Sequence, residues 1–341
     1  MAAGTYNTQT LMGLVPSVQQ PALAFRNRVF SATVTSESEE VFFDRLADDI
    51  RIAPLVSPIM QGKVVEDQQF STEFITPAYV KFKFPLRPAE MLKRSAGERL
   101  GGSLSLAQRK DARVMQLMAK GELMRARREE LMAVEILRTG SVTIAGDGYG
   151  TRLVNFQRDA ALSVTLAGGD LWSGTGNPAS DLETWSFAAQ NAPGGAPLSE
   201  YWMDPKGFKL LKARLTARNE LAMLDTTYRG SNSTLELGPL REKVTYVGRL
   251  GTFDIYVYQD WYENEAGVVT QFMPDNTVIG VGAAGGVRAY GAIMDFDQLN
   301  AQEVFWKTFR EDDPSVEYLM CQSAPILVPT RVNATFRATV A

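Results

Sequence analysis

The residue types that carry most enzyme chemistry are scarce in this chain. Its 341 residues contain no histidine and one cysteine. That removes the commonest general base, the commonest metal ligand and every histidine-containing triad. A lone cysteine completes neither a tetrahedral zinc site nor an intrachain disulfide. Cys321 lies among apolar residues and reads as a buried, inert thiol. Three groupings are left to weigh. Gly280-Val-Gly282-Ala-Ala-Gly285 has the glycine spacing of a dinucleotide-binding turn, with Asp297 and Glu303 downstream. Too little chain follows it to complete a doubly wound sheet, so it is read as a glycine-rich turn between strands. Asp295 and Asp297 flank Phe296 as a hard-metal pair would, but carboxylates alternating along a strand ordinarily face water. Asp312 and Asp313 fall in a turn. Gly62-Lys63 lacks the upstream glycine and the following hydroxyl residue of a phosphate-binding loop. No catalytic, cofactor-binding or metal constellation emerges, and the expectation is a protein that is not an enzyme.

Composition bounds the partners as well. A net charge of −4 argues against a dedicated nucleic-acid grip and is compatible with non-specific proximity to one. Apolar stretches such as Leu11 to Val15 are too short to span a membrane, and no basic start leads into an apolar run. No membrane association and no signal peptide are expected, so the sequons at Asn232 and Asn333 read as chance matches. An apolar content of 45% suits a globular core, and the length suggests about two domains.

The elements that would position these residues are easier to read. Ser105 to Gly140 forms one predicted helix, roughly 50 Å long at 1.5 Å per residue. Ser105-Leu-Ala-Gln108 is a capping box, and Gly140 is the residue type that best tolerates the left-handed conformation after a helix. Its apolar stripe runs Val114, Leu117, Gly121, Met124 and Leu131, broken by Arg128. Its mixed charges read as a solvated face or as salt-linked contacts with a neighbour.

Residues 1–50 read as an arm that cannot order itself alone. Its apolar groups around Phe25, Phe30, Val41-Phe42-Phe43 and Leu46 are expected to pack on other subunits. Val64 to Phe74 and Tyr79 to Phe84 read as the two strands of one ribbon, with Pro77 near the turn. A lone ribbon is marginal in water and needs a partner surface. Farther on, Trp172 and Trp185 read as anchors of a Gly-, Ser- and Asn-rich stretch. Asp204-Pro205 reads as a helix start, with strands at Lys243–Tyr246, Phe253–Tyr258 and Thr277–Val281. A closing pair, Val304 to Arg310 and Val316 to Gln322, is joined by Glu311-Asp-Asp-Pro314.

The order of arm, ribbon, long helix, inserted α/β region and closing hairpin resembles the HK97-like capsid fold. Particular words narrow this to the lambda-type (gpE-like) major capsid protein family of tailed bacteriophages. They are Val56-Ser-Pro-Ile-Met-Gln-Gly62, Thr76-Pro-Ala-Tyr-Val-Lys81, Asp204-Pro-Lys-Gly207, Arg229-Gly-Ser-Asn-Ser233, Pro274-Asp-Asn-Thr277 and Gln322-Ser-Ala-Pro325. Each is weak alone; all occur in the family's order. The first 50 residues match poorly.

The resemblance implies an α+β fold with an N-terminal arm (1–50), an extended β-ribbon loop (51–95) and a peripheral domain (96–150) built on a spine helix (105–139). An axial domain (151–297), a closing peripheral hairpin (298–324) and a C-terminal strand returning to the axial domain (325–341) complete it. It implies a major capsid (head) protein that forms hexamers and pentamers of an icosahedral shell around double-stranded DNA and expands from procapsid to mature head. Scaffolding, portal and decoration proteins are the implied partners. The virion is the implied location, after assembly in the host bacterial cytoplasm. Inter-subunit contacts are expected at Lys63, Phe74, Tyr79, Lys81, Lys83, Arg125, Arg128 and Glu129, with hinge glycines at Gly97, Gly101 and Gly102. Some members of the wider fold cross-link through a Lys–Asn isopeptide bond. The lambda-type branch instead resembles proteins stabilised by a decoration protein, so no cross-link is expected at Lys63, Lys81 or Lys83. The alternatives are an encapsulin-like nanocompartment shell of the same fold and a soluble oligomeric enzyme using Asp, Glu and Lys.

Overall fold

A computed structural model describes residues 22–45, 61, 71–92, 105–225, 243–296, 301–313 and 315–341. Short elements come first: α1 (Ala24–Arg28), β1 (Ala32–Thr35), β2 (Val41–Arg45), β3 (Ser71–Ile75), β4 (Val80–Leu86) and α2 (Pro88–Leu92). Then α3 (Leu106–Thr139) runs 34 residues without a break, about 50 Å at the helical rise. The Ser105 hydroxyl accepts from the Gln108 N–H at 3.3 Å, and the Gln108 side chain accepts from the Ser105 N–H at 2.9 Å. This reciprocal box satisfies two free donors of the first turn. At the other end Gly140 takes φ +70°, a conformation that costs a Cβ-bearing residue energy.

After α3 the chain forms β5 (Ser141–Gly146), β6 (Tyr149–Asn155), β7 (Ser163–Thr165), α4 (Pro178–Asn191), β8 (Leu198–Met203), α5 (Pro205–Ala217) and β9 (Leu224–Asp225). It continues through β10 (Val244–Leu250), β11 (Phe253–Tyr258), β12 (Trp261–Glu263), β13 (Val269–Gln271), β14 (Thr277–Gly282) and β15 (Gly286–Tyr290). The end is β16 (Phe305–Glu311), β17 (Val316–Ser323), β18 (Pro325–Pro329) and β19 (Thr335–Thr339).

The largest unit is a seven-stranded mixed sheet ordered β7-β19-β14-β8-β11-β10-β9. Helices α4 and α5 pack on it, and the sequestered side chains include Trp172, Trp185, Tyr201, Leu211 and Phe336. Trp172 and Trp185 stack at 5.9 Å between ring centroids, so both anchor the Gly-rich stretch as expected. Asp204 caps α5 through the N–H groups of Lys206 and Gly207 and also accepts from Thr277 N at 3.0 Å. One carboxylate thereby fixes the helix start and the entry of β14. The glycine-rich motif occupies β14 and the turn to β15. A Cβ on Gly280 would lie 2.7 Å from Leu198 Cδ1, so that glycine serves sheet packing.

A second sheet, ordered β16-β17-β4, lies along the N-terminal half of α3. Leu86, Leu117 and Leu319 form its contact, with Trp306 alongside. Gly121 lets the two approach: a Cβ there would sit 2.4 Å from Trp306 Cη2. The third sheet, β1-β15-β18, shares its core with α1 and the C-terminal half of α3.

Three expectations are corrected. The strands flanking Pro77 do not pair with each other. β3 pairs antiparallel with β2, and β4 pairs with β17 of the closing hairpin. The outgoing strand of the ribbon is therefore Val41–Arg45, inside the stretch read as arm. Phe25 and Phe30 are fully buried in their own subunit, because α1 docks on α3 and β1 pairs with β15. Asp295 does not face water: it accepts from Lys307 Nζ at 3.1 Å and Gln322 Nε2 at 2.8 Å. Asp297 lies outside the described residues.

Candidate assembly surfaces

The ribbon base alternates with strand period. Val41, Phe43 and Ile75 turn toward the core, while Phe42 and Phe74 turn outward as a directly opposed pair. They remain 54% and 60% exposed, edge to face with centroids 5.0 Å apart. Two large aromatic rings left in water side by side mark a surface that gains from being covered.

The outer face of the hairpin sheet carries Lys81 and Lys83, both exposed. Lys83 Nζ lies 4.5 Å from the Tyr318 ring centroid and 5.9 Å from that of Phe309, a cation–π arrangement within the chain. Tyr79 donates to Gln322 Oε1 at 2.6 Å, fixing the link between β3 and β4 against the hairpin. Lys63 and the expected hinge glycines Gly97, Gly101 and Gly102 lie outside the described residues.

The charges of α3 divide differently from the expectation. Arg128 is half exposed and pairs with Glu265 at 2.8 Å. Arg125 and Glu129, expected to face a neighbour, are instead buried inside their own subunit, and this corrects them as contact candidates. Glu129 pairs with both Arg125 and Arg26 and accepts from Tyr290 Oη at 2.9 Å. Burial alone would lower the Arg125 pKa, but Glu129 and Glu122 beside it raise it above its ordinary value. Next to Glu129, the fully buried Glu130 accepts from the backbone N–H of Phe25 (3.2 Å) and Arg26 (2.9 Å) and from Tyr258 Oη (3.1 Å). Burial pushes its carboxyl up to about 7, against the lowering effect of those bonds.

Two more carboxylates finish the dock. Asp260 accepts from Ala22 N at 3.1 Å, and Glu200 pairs with Arg28, whose Nε lies 2.7 Å away. Residues 22–28 are thus held by four acidic groups from three separate elements or their flanks. Sequence reasoning missed this dock. One signal was available: Met132-Ala-Val134 and Ile136-Leu137 widen the apolar stripe at the end of α3, the pattern of a helix with a broad buried face.

Among the described residues, no group of three His, Cys, Asp or Glu side chains is placed to hold a metal ion. None of their helices is long and apolar enough to cross a membrane.

Comparison with known proteins covers nearly the whole chain. Residues 7–340 match the family described as phage major capsid protein E. The major capsid protein of Escherichia phage lambda is 33% identical over 316 residues, 89% of this chain and 90% of the relative. A crystal structure of a prophage protein from E. coli CFT073 superposes with a TM-score of 0.75 at 23% identity, covering 99% of this chain and 100% of that one. The capsid structure of cyanophage P-SCSP1u gives 0.55 at 10% identity, over 96% and 91% of the two chains.

Proposed function

Since the chain belongs to the phage major capsid protein E family, it is a structural protein of a phage head and not an enzyme, and we propose how its parts build the shell. In this reading the seven-stranded unit is the axial domain that meets its copies at the centres of hexamers and pentamers. Helix α3 with the hairpin sheet is the peripheral domain, and β2–β3 is the root of an extended loop laid over an adjacent subunit. The closed shell surrounds double-stranded DNA, expands on maturation and sits in the virion after assembly in the host cytoplasm. Scaffolding, portal and decoration proteins act with it. Lys63, Phe74, Tyr79, Lys81, Lys83 and Arg128 remain the proposed contact residues, and Gly97, Gly101 and Gly102 the proposed hinge.

The observation that carries this reading is the Phe42–Phe74 pair. Its strand neighbours are anchored in the core, yet both rings stand in water on the root of the loop. A neighbouring subunit covering them would remove apolar area worth roughly 25 cal/mol per Å². Many such modest contacts, engaged together, multiply into a stable shell.

Electron microscopy of the expressed chain tests the reading. The wild type is expected to give shells, tubes or hexamers. The double variant Phe42→Ser/Phe74→Ser is expected to leave soluble subunits that melt like the wild type. Unchanged shell yield in that variant would remove the ribbon root from the interface.

A further inference from the structure

The C-terminal end of α3 carries a positive charge cluster with no counter-ion among the described residues. Arg158 reaches back over Gly140 to the last turn, donating to the carbonyls of Leu137 at 2.6 Å and Arg138 at 2.8 Å. The same guanidinium donates to Ser163 Oγ at 2.6 Å. Ser163 is the register partner of Arg337 on β19, so this hydroxyl brings Arg158 and Arg337 into one neighbourhood. Arg138 projects from the same last turn.

Helix-end carbonyls account for Arg158, and a cation in the last turn suits the helix dipole. Neither argument accounts for Arg337, which sits on a strand. Among the described residues, none of the three guanidinium groups has a carboxylate within salt-bridge distance. The Nε atoms of Arg158 and Arg337 are buried without a hydrogen-bond partner. Burial, then the charge of Arg337, pulls the Arg158 pKa down to about 10. Burial, then Arg138, lowers that of Arg337. Two partly buried guanidinium groups beside a third, with unpaired Nε atoms, form a site suited to an anion.

The chain also holds the complementary group. Glu37, Glu39 and Glu40 are exposed on the turn between β1 and β2, and among the described residues none of them pairs with a cation. That turn is rigidly placed: Ser36 N donates to Tyr290 O at 2.8 Å, Ala292 N donates to Ser38 O at 3.0 Å, and Ser38 N donates to Ser36 Oγ at 3.2 Å. We propose that the Arg138–Arg158–Arg337 cluster of one subunit receives the Glu37–Glu40 turn of an adjacent copy. The inference rests on the shell reading above. Each copy would then carry both halves of a head-to-tail contact, the kind of interface that closes into rings.

A phosphate backbone is the competing anion. It is disfavoured because the cluster is confined to three residues in a chain of net charge −4, whereas a grip on DNA needs an extended basic footprint.

Charge reversal on each side, alone and together, tests the contact in the full chain. Wild-type shells seen by microscopy establish the underlying reading, so a loss confined to the variants bears on this contact only. Arg138→Glu and, separately, Glu37→Lys/Glu39→Lys/Glu40→Lys are each expected to cut the shell fraction at least about tenfold by sedimentation. Combining them is expected to restore it to within about twofold of wild type. The glutamate variant lies on an exposed turn with no side-chain ion pair, so its fold is expected to persist, checked by its melting curve. Normal assembly of that variant, or a combined variant no better than the singles, overturns the proposal. So does a defect limited to DNA-filled particles with empty shells unaffected, which would assign the cluster to phosphate.

Discussion

The two halves of α3 are one continuous helix in two different environments. The first half buries only Leu117 and Gly121 and rests on the hairpin sheet along one side. The second half buries nine residues between Arg125 and Leu137, three of them charged. In the first half, charge stays at the surface and apolar contact supports the helix. In the second, apolar packing is so complete that charged groups inside it must be satisfied by the subunit itself. The contrast teaches that a charged residue on a long helix need not mark an outer face. What decides is whether the side of the helix that carries it is covered by the rest of the subunit.

Breaking the interior half is expected to have the largest effect. Glu129→Ala strands Arg125 and Arg26 beside a buried cavity, and removing one member of a buried pair costs about 3–5 kcal/mol. Urea denaturation of dissociated subunits is expected to show that loss, and a loss below about 1 kcal/mol would mean that water reaches the dock.

Next comes the pH response of Glu130. Its carboxyl is raised from 4.5 to about 7 in the folded subunit, so the native state holds this proton more tightly than the unfolded chain. The resulting stabilisation is fully present below pH ~4.5 and is lost as pH rises through ~7, amounting to about 3 kcal/mol. Glu130→Gln is expected to flatten that part of the stability profile. Identical profiles for variant and wild type between pH 4.5 and 8 would show that Glu130 is not the titrating group.

The smallest effect belongs to the outer half. Lys110 and Glu317 pair at 2.6 Å with the lysine 40% exposed, and Lys110→Ala is expected to cost less than about 1 kcal/mol. A larger loss would erase the distinction between the halves.

The same division explains what the sequence disclosed. The capping box at Ser105, the stop at Gly140, the Asp204 cap and the closing hairpin are local events, each decided by residues within a few positions of one another. The family words gave the order of the larger parts. The pairing of Phe42 with Phe74 was not legible, because alternation identifies a strand without naming its partner. Nor was the dock of residues 22–28. Its acceptors lie on α3, on β8 and just beyond β11, far from it in sequence. The polar character of the arm pointed toward disorder, whereas four carboxylates together with the buried Phe25 and Phe30 supply its order.

The dock also sets a schedule for synthesis. Ala22 and its partner Asp260 are 238 residues apart, and Ser31 and Arg288 are 257 apart. Residues 22–35 leave the ribosome among the first, yet β15, with which β1 pairs, emerges only near the end of translation. Contacts of such sequence separation form slowly, after the loop between them has closed. Strand β2 follows directly from this segment, so the chain entering the ribbon root is not fixed by β15 until translation is nearly complete. The dock is therefore among the last contacts that a newly made subunit can complete.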